Sequence, residues 1–109
     1  MFCFAKDRVF EKTAPGVERA ILVHEGAMMC VENRFEKGGV GAMHSHPHEQ
    51  VTYVLSGKFE FTIGDEKHVV TAGDTLHKLP NVKHGCVCLE KGVLIDVFTP
   101  QREDFLKKG

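Results

Sequence analysis

Residues 50–63 read QVTYVLSGKFEFTI, and this stretch decides the fold class. In its second half the apolar residues Phe59, Phe61 and Ile63 alternate with polar ones. A period of two is typical of a half-buried β-strand. The sequence therefore predicts two strands, at residues 50–55 and 58–63, joined by a turn at Ser56-Gly57.

Similar segments follow one another along the rest of the chain. They occupy residues 17–24, 27–35, 68–71, 75–79, 85–89 and 92–98, and turns separate most of them. We predict that the last two form a hairpin through residues 90–92, that residues 37–41 (KGGVG) form a loop, and that residues 101–108 form a short helix. Strands without helices between them are typical of an antiparallel sandwich or small barrel. We therefore expect an all-β fold with a short C-terminal helix, as a single domain over residues 1–109.

Composition limits the function classes. A chain of 109 residues is long enough for one domain with one core. Its 14 basic and 15 acidic residues nearly cancel, which argues against a nucleic-acid partner. The apolar runs are too short to span a membrane. Charged residues among the first twenty positions argue against a secretory signal, so we expect a cytoplasmic protein.

The cysteines contain no CxxC motif, so the spacing predicts neither a zinc knuckle nor a thioredoxin-like site. Cys86 and Cys88 lie two apart in an apolar segment. In a strand they would be about 6.8 Å from each other, at the upper limit for a disulfide. We expect that Cys3, Cys30, Cys86 and Cys88 are free thiols in the core, in keeping with a reducing compartment.

Histidines carry the main chemical signal. Three of the seven fall within residues 44–50, which read HSHPHEQ. If this segment is extended, one side of it presents His44, His46, His48 and Gln50. Pro47 interrupts the strand, and a further histidine, His84, follows a loop at residues 80–83. Three imidazoles and one amide oxygen suit a divalent transition metal with open positions for water or substrate, whereas a solvated polar loop is the alternative.

The spacing of these residues resembles the two motifs of the cupin superfamily. The segment from Gly38 through HSHPHEQ to Gly57 is similar to the first motif, and the segment from Gly73 to His84 is similar to the second. The resemblance implies a small antiparallel β-barrel or jelly roll that holds one divalent metal ion. The implied ligands are His44, His46, Gln50 and His84. The sequence leaves nickel, zinc, iron, manganese and cobalt open.

The acidic position of the first motif is occupied by Gln50. A neutral amide would leave more positive charge on the metal than a carboxylate would, and would favour an anionic substrate.

Over residues 7–106 the chain is similar to the pectin degradation family of the KdgF type. Segments 44–50 (HSHPHEQ), 84–90 (HGCVCLE) and 96–105 (DVFTPQREDF) carry this resemblance. Members are single-domain, usually dimeric cupins that convert cyclic 4,5-unsaturated monouronates, released by pectin or alginate lyases, to the linear ketonised form. The resemblance implies a homodimer that acts on a small acidic sugar, with Asp96 and Arg102 as catalytic residues and Phe98 and Arg102 as substrate-binding residues.

The residues themselves support part of this assignment. Asp96 is a carboxylate in an apolar strand, where burial is costly unless the group is paired or functional; an exposed edge strand is the alternative. The planar fork of Arg102 suits a uronate carboxylate, and a solvated arginine is the alternative. Phe98 is either core or a platform under a sugar ring. His48 either faces the cavity or turns outward.

The mechanistic hypothesis is ring opening followed by tautomerisation. Asp96 would move a proton, while the metal and Arg102 hold the carboxylate and the neighbouring oxygens. A non-catalytic sugar-binding or uronate-binding cupin would keep Arg102 but tolerate the loss of Asp96. An iron-dependent cupin dioxygenase is the second alternative, against which Gln50 argues because oxygen-activating sites usually include a carboxylate or three histidines.

Residues 51, 53 and 55 have the opposite parity to Gln50, so Val51, Tyr53 and Leu55 are expected on the outer face of the barrel. An apolar outer face is costly in water, which favours a dimer through such strands.

Overall fold

The computed structural model describes residues 1–106, in which antiparallel strands dominate. The strands are β1 (Glu11–Ala14), β2 (Val17–Glu25), β3 (Met28–Phe35), β4 (Val40–His44), β5 (Glu49–Ile63), β6 (Glu66–Thr71), β7 (Thr75–Lys78) and β8 (His84–Thr99). A 3₁₀ turn at Ala5–Asp7 precedes them, and the helix α1 (Glu103–Leu106) follows them. The predicted all-β class is confirmed. Of the helix predicted at 101–108, residues 107 and 108 lie outside the described part.

The two longest strands, β5 and β8, pair with each other from Glu49 opposite Thr99 to Ile63 opposite His84. The turn predicted at Ser56-Gly57 and the hairpin predicted at residues 90–92 are therefore wrong, because both strands continue through these positions. β1 and β4 were not predicted. β4 begins at residue 40, within the predicted glycine-rich loop.

Gly57 and Gly92 explain why the ribbon formed by β5 and β8 bends instead of ending. The register shifts several times between Val54 and Phe59, and Gly57 has a φ of 85°. The strands approach so closely that a Cβ on Gly92 would lie 2.2 Å from the carbonyl oxygen of Ser56. Such a bulge bends the paired strands and keeps them paired.

The bend brings the two ends of this ribbon together. A straight pairing from Gln50 to Ile63 would extend over about 43 Å, whereas the longest dimension of the molecule is 34 Å. Lys78 lies opposite Gln50 at one end, yet its Nζ is 4.8 Å from the ring centroid of Phe61 near the other end. Each half of the ribbon has its own neighbours: β7 and β3 flank the half with Gln50, and β6 and β4 flank the other.

Alternation along β8 places Leu94, Asp96 and Phe98 on the inner face of the barrel. Thr52 and Val54 of β5 are fully buried against them. The inner face is therefore apolar in its centre and polar where β5 begins, and the polar part lies beside the histidines.

All four cysteines are free thiols, as expected, but only two have the predicted core position. Cys86 and Cys88 are buried, Cys30 is half-buried and Cys3 is exposed. Within residues 1–106, no helix is both long and apolar enough to cross a membrane.

Candidate metal centre

Three histidines from different segments converge at one end of the barrel. His44 is the last residue of β4 and lies opposite His84, the first residue of β8. His46 lies in the bend that follows β4, which Pro47 helps to form. One ligand nitrogen of each histidine lies within 4.8 Å of the others. These separations are small enough for one ion to bind all three imidazoles.

Each of these imidazoles is oriented by a backbone carbonyl. The Nδ1 of His44 donates to Ala42 O at 2.8 Å, that of His46 to His48 O at 3.0 Å, and that of His84 to Val82 O at 3.1 Å. A carbonyl oxygen only accepts hydrogen bonds, so Nδ1 carries the proton in all three rings. The Nε2 lone pair of each neutral ring is thereby available to a metal, which is the usual arrangement of metal-binding histidines.

Burial keeps two of the rings neutral. Burial, together with the charge of Lys78, lowers the pKa of His84 to about 4. Burial also lowers the pKa of His46, and the positive charge of Arg102 adds to the effect. His44 is exposed, at the mouth of the site. Metal binding to His46 and His84 therefore need not displace a proton at neutral pH.

Gln50, the first inward-facing residue of β5, presents an oxygen to the same place. Its Oε1 lies 3.0 Å from the Nε2 of His46. Its Nε2 donates to Asp96 Oδ1 at 2.8 Å, which fixes the direction of the amide. Because His46 carries its proton on Nδ1, the Nε2 lone pair of His46 and the Gln50 oxygen face each other as two acceptors. A cation between them would satisfy both groups, so these residues fit a metal ion.

Asp96 is almost fully buried, and donors surround its carboxylate. Asn33 Nδ2 donates to Oδ2 at 2.6 Å, while Gln50 and Thr52 donate to Oδ1. The alternative of an exposed edge-strand Asp96 is therefore wrong, because β5 and β3 flank β8 at this point. The cost of burial is offset by these hydrogen bonds.

Lys78, at the end of β7, was missed by the sequence reasoning. It is 4% exposed, and its Nζ donates to Thr52 Oγ1 at 3.0 Å. Burial lowers the pKa of Lys78, whereas the charge of Asp96 raises it. Its parity with Leu76, the half-buried apolar residue of the strand, was the signal that could have placed it on the inner face.

Arg102 and Phe98 lie together at the edge of the site. The guanidinium of Arg102 is 5.3 Å from the ring centroid of Phe98 and 4.2 Å from that of Phe105. Its Nε and Nη2 donate to the two carboxylate oxygens of Asp104, at 3.0 and 2.9 Å. The ring of Phe98 lies 5.9 Å from that of His46 and is 3% exposed, so it is a core residue that also borders the histidines.

The remaining histidines are not members of the ligand cluster, although the ring of His48 lies 5.4 Å from that of His46. His48 is half-buried, and its backbone carbonyl orients His46. His68 and His77 are exposed and pair with Glu66 and Glu49. Both lie on the surface, away from the three ligand histidines.

A cavity of about 400 Å³ opens beside the cluster. His44, Gln50, His84, Asp96, Phe98 and Arg102 all line it. A larger cavity, of about 600 Å³, lies near Arg34 and Gly92, and its lining contains none of the clustered histidines. The smaller cavity therefore combines space for a small molecule with the polar groups that could act on it.

Comparison with known proteins agrees with this geometry. A family model described as a cupin domain matches residues 31–98. The chain belongs to the cupin family. This match covers the four predicted ligands as well as Asp96 and Phe98, and it ends before Arg102.

The relatives of this cupin include curated and structurally characterised proteins. It is 41% identical over 99 residues to the pectin degradation protein KdgF of Dickeya dadantii (strain 3937). The aligned residues cover 89% of this chain and 90% of the Dickeya protein. A solved RmlC-like cupin from Shewanella frigidimarina NCIMB 400 is 40% identical with a TM-score of 0.92, over 95% of this chain and 94% of its own. KdgF from Halomonas sp. is 34% identical with a TM-score of 0.92, over 96% and 97% of the two chains.

The cupin barrel thus brings together every residue that the sequence predicted for the site, from segments as distant as residues 44 and 102. The three-histidine cluster is compatible with a bound metal ion. Sequence reasoning missed the residues behind it, namely Asn33, Thr52 and Lys78, whose roles depend on strand register.

Proposed function

We propose that this cupin binds one divalent transition metal ion and converts cyclic 4,5-unsaturated monouronates from pectin or alginate to the linear ketone. The name of the KdgF relative, 41% identical, supports the substrate class. The observation that carries the proposal is the pair of facing acceptors, His46 Nε2 and Gln50 Oε1, 3.0 Å apart and beside the buried carboxylate of Asp96.

Four residues would hold the ion: His44, His46, Gln50 and His84. Three nitrogens and one neutral oxygen leave the full divalent charge at the site, where a bound metal supplies Lewis-acid stabilisation of substrate oxygens. These four ligands do not select one metal. The metal that occupies the site depends both on the order of metal affinities and on which metals the cell supplies.

Asp96 is proposed to move the proton. Its carboxylate accepts hydrogen bonds from three donors and lines the cavity, and we propose that it begins as the base. It would take the proton of the anomeric hydroxyl as the bond between C1 and the ring oxygen breaks, and would return a proton to C4 as the enolate becomes the ketone. The proton lost from oxygen equals the proton gained by carbon, so the reaction is an isomerisation without a co-reactant.

Arg102 and Phe98 are proposed to position the sugar. Arg102 places a positive charge at the cavity while its fork stays bound to Asp104, so its charge would attract the acidic sugar. Phe98 offers a ring edge between the histidines and Arg102.

The test is incubation with unsaturated monouronate from an exhaustive lyase digest, with and without a chelator. We expect the ultraviolet absorbance of the conjugated alkene to disappear with the metal-loaded protein, and proton NMR to show the linear ketone. Asp96→Asn and Arg102→Ala are expected to lose most of this rate, whereas the matched variant Asp65→Asn, at an exposed turn, should keep it.

The alternatives give different results in the same assay. A non-catalytic uronate-binding cupin would bind the sugar without a change in absorbance. A dioxygenase would consume oxygen with Fe(II) bound. Wild-type rates in Asp96→Asn would contradict the role of Asp96.

We further propose that this single cupin domain, residues 1–109, functions as a cytoplasmic homodimer. The four free thiols support a reducing compartment. Val51, Tyr53 and Leu55 are 45%, 43% and 53% exposed on the outer face of β5 in one chain, which supports association through this face. Light scattering after size exclusion should give a dimer, and Leu55→Glu should shift it to a monomer. A monomeric wild-type protein would contradict this.

A further inference from the structure

Arg19 is a second arginine beside the cavity, contributed by β2. It lies opposite Asn33 of β3, and Asn33 in turn donates to Asp96 Oδ2. Residues directly opposite one another in a sheet project from the same face, so strand register places Arg19 on the inner face with Asp96. Arg19 and Arg102 both line the cavity that contains the histidines.

The guanidinium of Arg19 has N–H donors that make no hydrogen bond. Its Nη2 lies 3.9 Å from a carboxylate oxygen of Glu11, too far for a hydrogen bond. Its Nε is buried without a hydrogen-bond partner. Buried donors are almost always paired in folded proteins, so an unpaired one beside a cavity points to an acceptor that arrives with a ligand.

Arg102 differs in this respect. Two of its donors are already bound to the carboxylate of Asp104, in the bidentate form that a substrate carboxylate would otherwise take. The two arginines are nevertheless neighbours, because both contact the ring of Phe105, at 3.7 Å for Arg19 and 4.2 Å for Arg102.

Two guanidiniums lie beside the ring of Phe105, and the carboxylates of Glu11 and Asp104 offset part of their charge. Burial lowers the pKa of Arg19, the carboxylate of Glu11 opposes this, and the charge of Arg102 lowers it again. An incoming carboxylate would relieve the repulsion between the guanidiniums and would pair the orphaned Nε.

We propose that Arg19 binds the carboxylate of the acidic sugar and so determines that the cavity accepts uronates and not neutral sugars. This inference rests on the proposed function. Arg19 Nε and a terminal nitrogen form the fork, and Arg102, which contacts the same Phe105 ring, adds its charge. Arg19 is a binding residue and takes no part in proton transfer.

The experiment compares Arg19→Gln and Arg19→Lys with wild type on unsaturated monouronate. We expect KM to rise about tenfold or more in Arg19→Gln, since a charge-assisted bidentate contact is lost, with kcat changed much less. Arg19→Lys keeps the charge without the fork and should lie between the two. Folding of each variant is judged by circular dichroism and metal content. If Arg19→Gln does not fold, a raised KM in Arg19→Lys tests the proposal instead.

Glu11→Gln is the matched control. A purely structural role in the ion pair would make Glu11→Gln and Arg19→Gln lose thermal stability alike and leave KM unchanged, and this result would overturn the proposal. We expect instead that Glu11→Gln keeps the wild-type KM or lowers it.

A second readout separates this proposal from the proposed function. Binding of galacturonate and of galactose, neither of which has the reactive alkene, is measured by calorimetry. Wild type should prefer the acid, and Arg19→Gln should lose that preference, even if no turnover of the unsaturated sugar is found. Turnover by wild type with an unchanged KM and unchanged preference in both Arg19 variants would leave the proposed function standing and contradict the role of Arg19.

Discussion

Asp96 fixes the orientation of Gln50. Because the carboxylate accepts the amide Nε2 at 2.8 Å, the amide oxygen is turned toward His46, 3.0 Å away. The side-chain amide has one oxygen and one NH₂ group, so the partner of the NH₂ group decides which end a metal would meet. Asp96 therefore acts on the proposed ligand set independently of any proton transfer, and the two roles can be separated by measuring metal binding.

Asp96→Asn should weaken metal binding as well as turnover. Asn33, Gln50 and Thr52 all donate to Asp96, and an asparagine has only one oxygen to accept them, so its NH₂ group would face a donor. We expect metal affinity to fall about 10- to 100-fold, as for other groups that orient ligands. Competition with a chromogenic chelator measures it, with Asp65→Asn as the control. Unchanged affinity alongside lost activity would assign Asp96 to proton transfer alone.

Gln50→Glu should destabilise the metal-free protein. The new carboxylate would lie beside Asp96 with no proton to donate, and two carboxylates at hydrogen-bond distance repel each other. We expect the free energy of unfolding to fall by about 1 kcal/mol, which corresponds to roughly 4–8 °C in the Tm of a domain of this size. Adding metal should raise the Tm of this variant more than it raises that of wild type. Thermal unfolding with chelator and with metal measures both.

The double variant Gln50→Glu/Asp96→Asn is the control, since it removes the repulsion. It should regain part of the lost stability, and strictly additive losses would show that repulsion is not the cause.

Gly92→Ala should be strongly destabilising. The added Cβ would lie 2.2 Å from the carbonyl oxygen of Ser56, in the bend of the ribbon, and backbone cannot move aside as a flexible side chain can. We expect a loss of about 3 kcal/mol or more in the free energy of unfolding, measured by urea denaturation. Gly26→Ala, at a φ of 58° with no atom within 4 Å of the new Cβ, should cost only about 1 kcal/mol. Equal losses would show that the close approach at Gly92 does not set the cost.

The thiols should react in order of exposure. Cys3 is exposed, whereas burial raises the pKa of Cys86 from 9.0 to about 11. A thiol reagent at pH 8 should therefore modify Cys3 quickly and the buried Cys86 and Cys88 only after unfolding. Mass spectrometry of the labelled native protein measures this, with a denatured sample as the reference.

The same pKa shift predicts a loss of stability at high pH. Between pH 9 and 11 the unfolded chain has released the Cys86 proton and the folded chain has kept it, so stability falls as pH rises through this range. Cys86→Ala should show a shallower fall than wild type. An identical slope in both proteins would exclude Cys86 as the source.

Much of the fold and most of the site could be predicted from sequence because the signals are local. The spacing of His44, His46 and Gln50 and the parity of Asp96 depend on neighbouring residues alone. The bend at Gly57 could not be predicted, because a glycine after a serine suits a turn or a bulge equally well, and pairing with β8 decides between them. Lys78 was missed because a lysine is usually exposed, so its parity with Leu76 was not weighed as a sign of burial.

The bent ribbon also sets the order in which the protein can be assembled. Gln50 and His84 lie at opposite ends of the pair formed by β5 and β8. They come close to each other only when the two strands have paired and the ribbon has bent. The proposed metal ion would therefore have no complete set of ligands in a partly folded chain and would bind only after these strands have paired. The fraction of a preparation that holds metal would accordingly count the molecules that have finished folding.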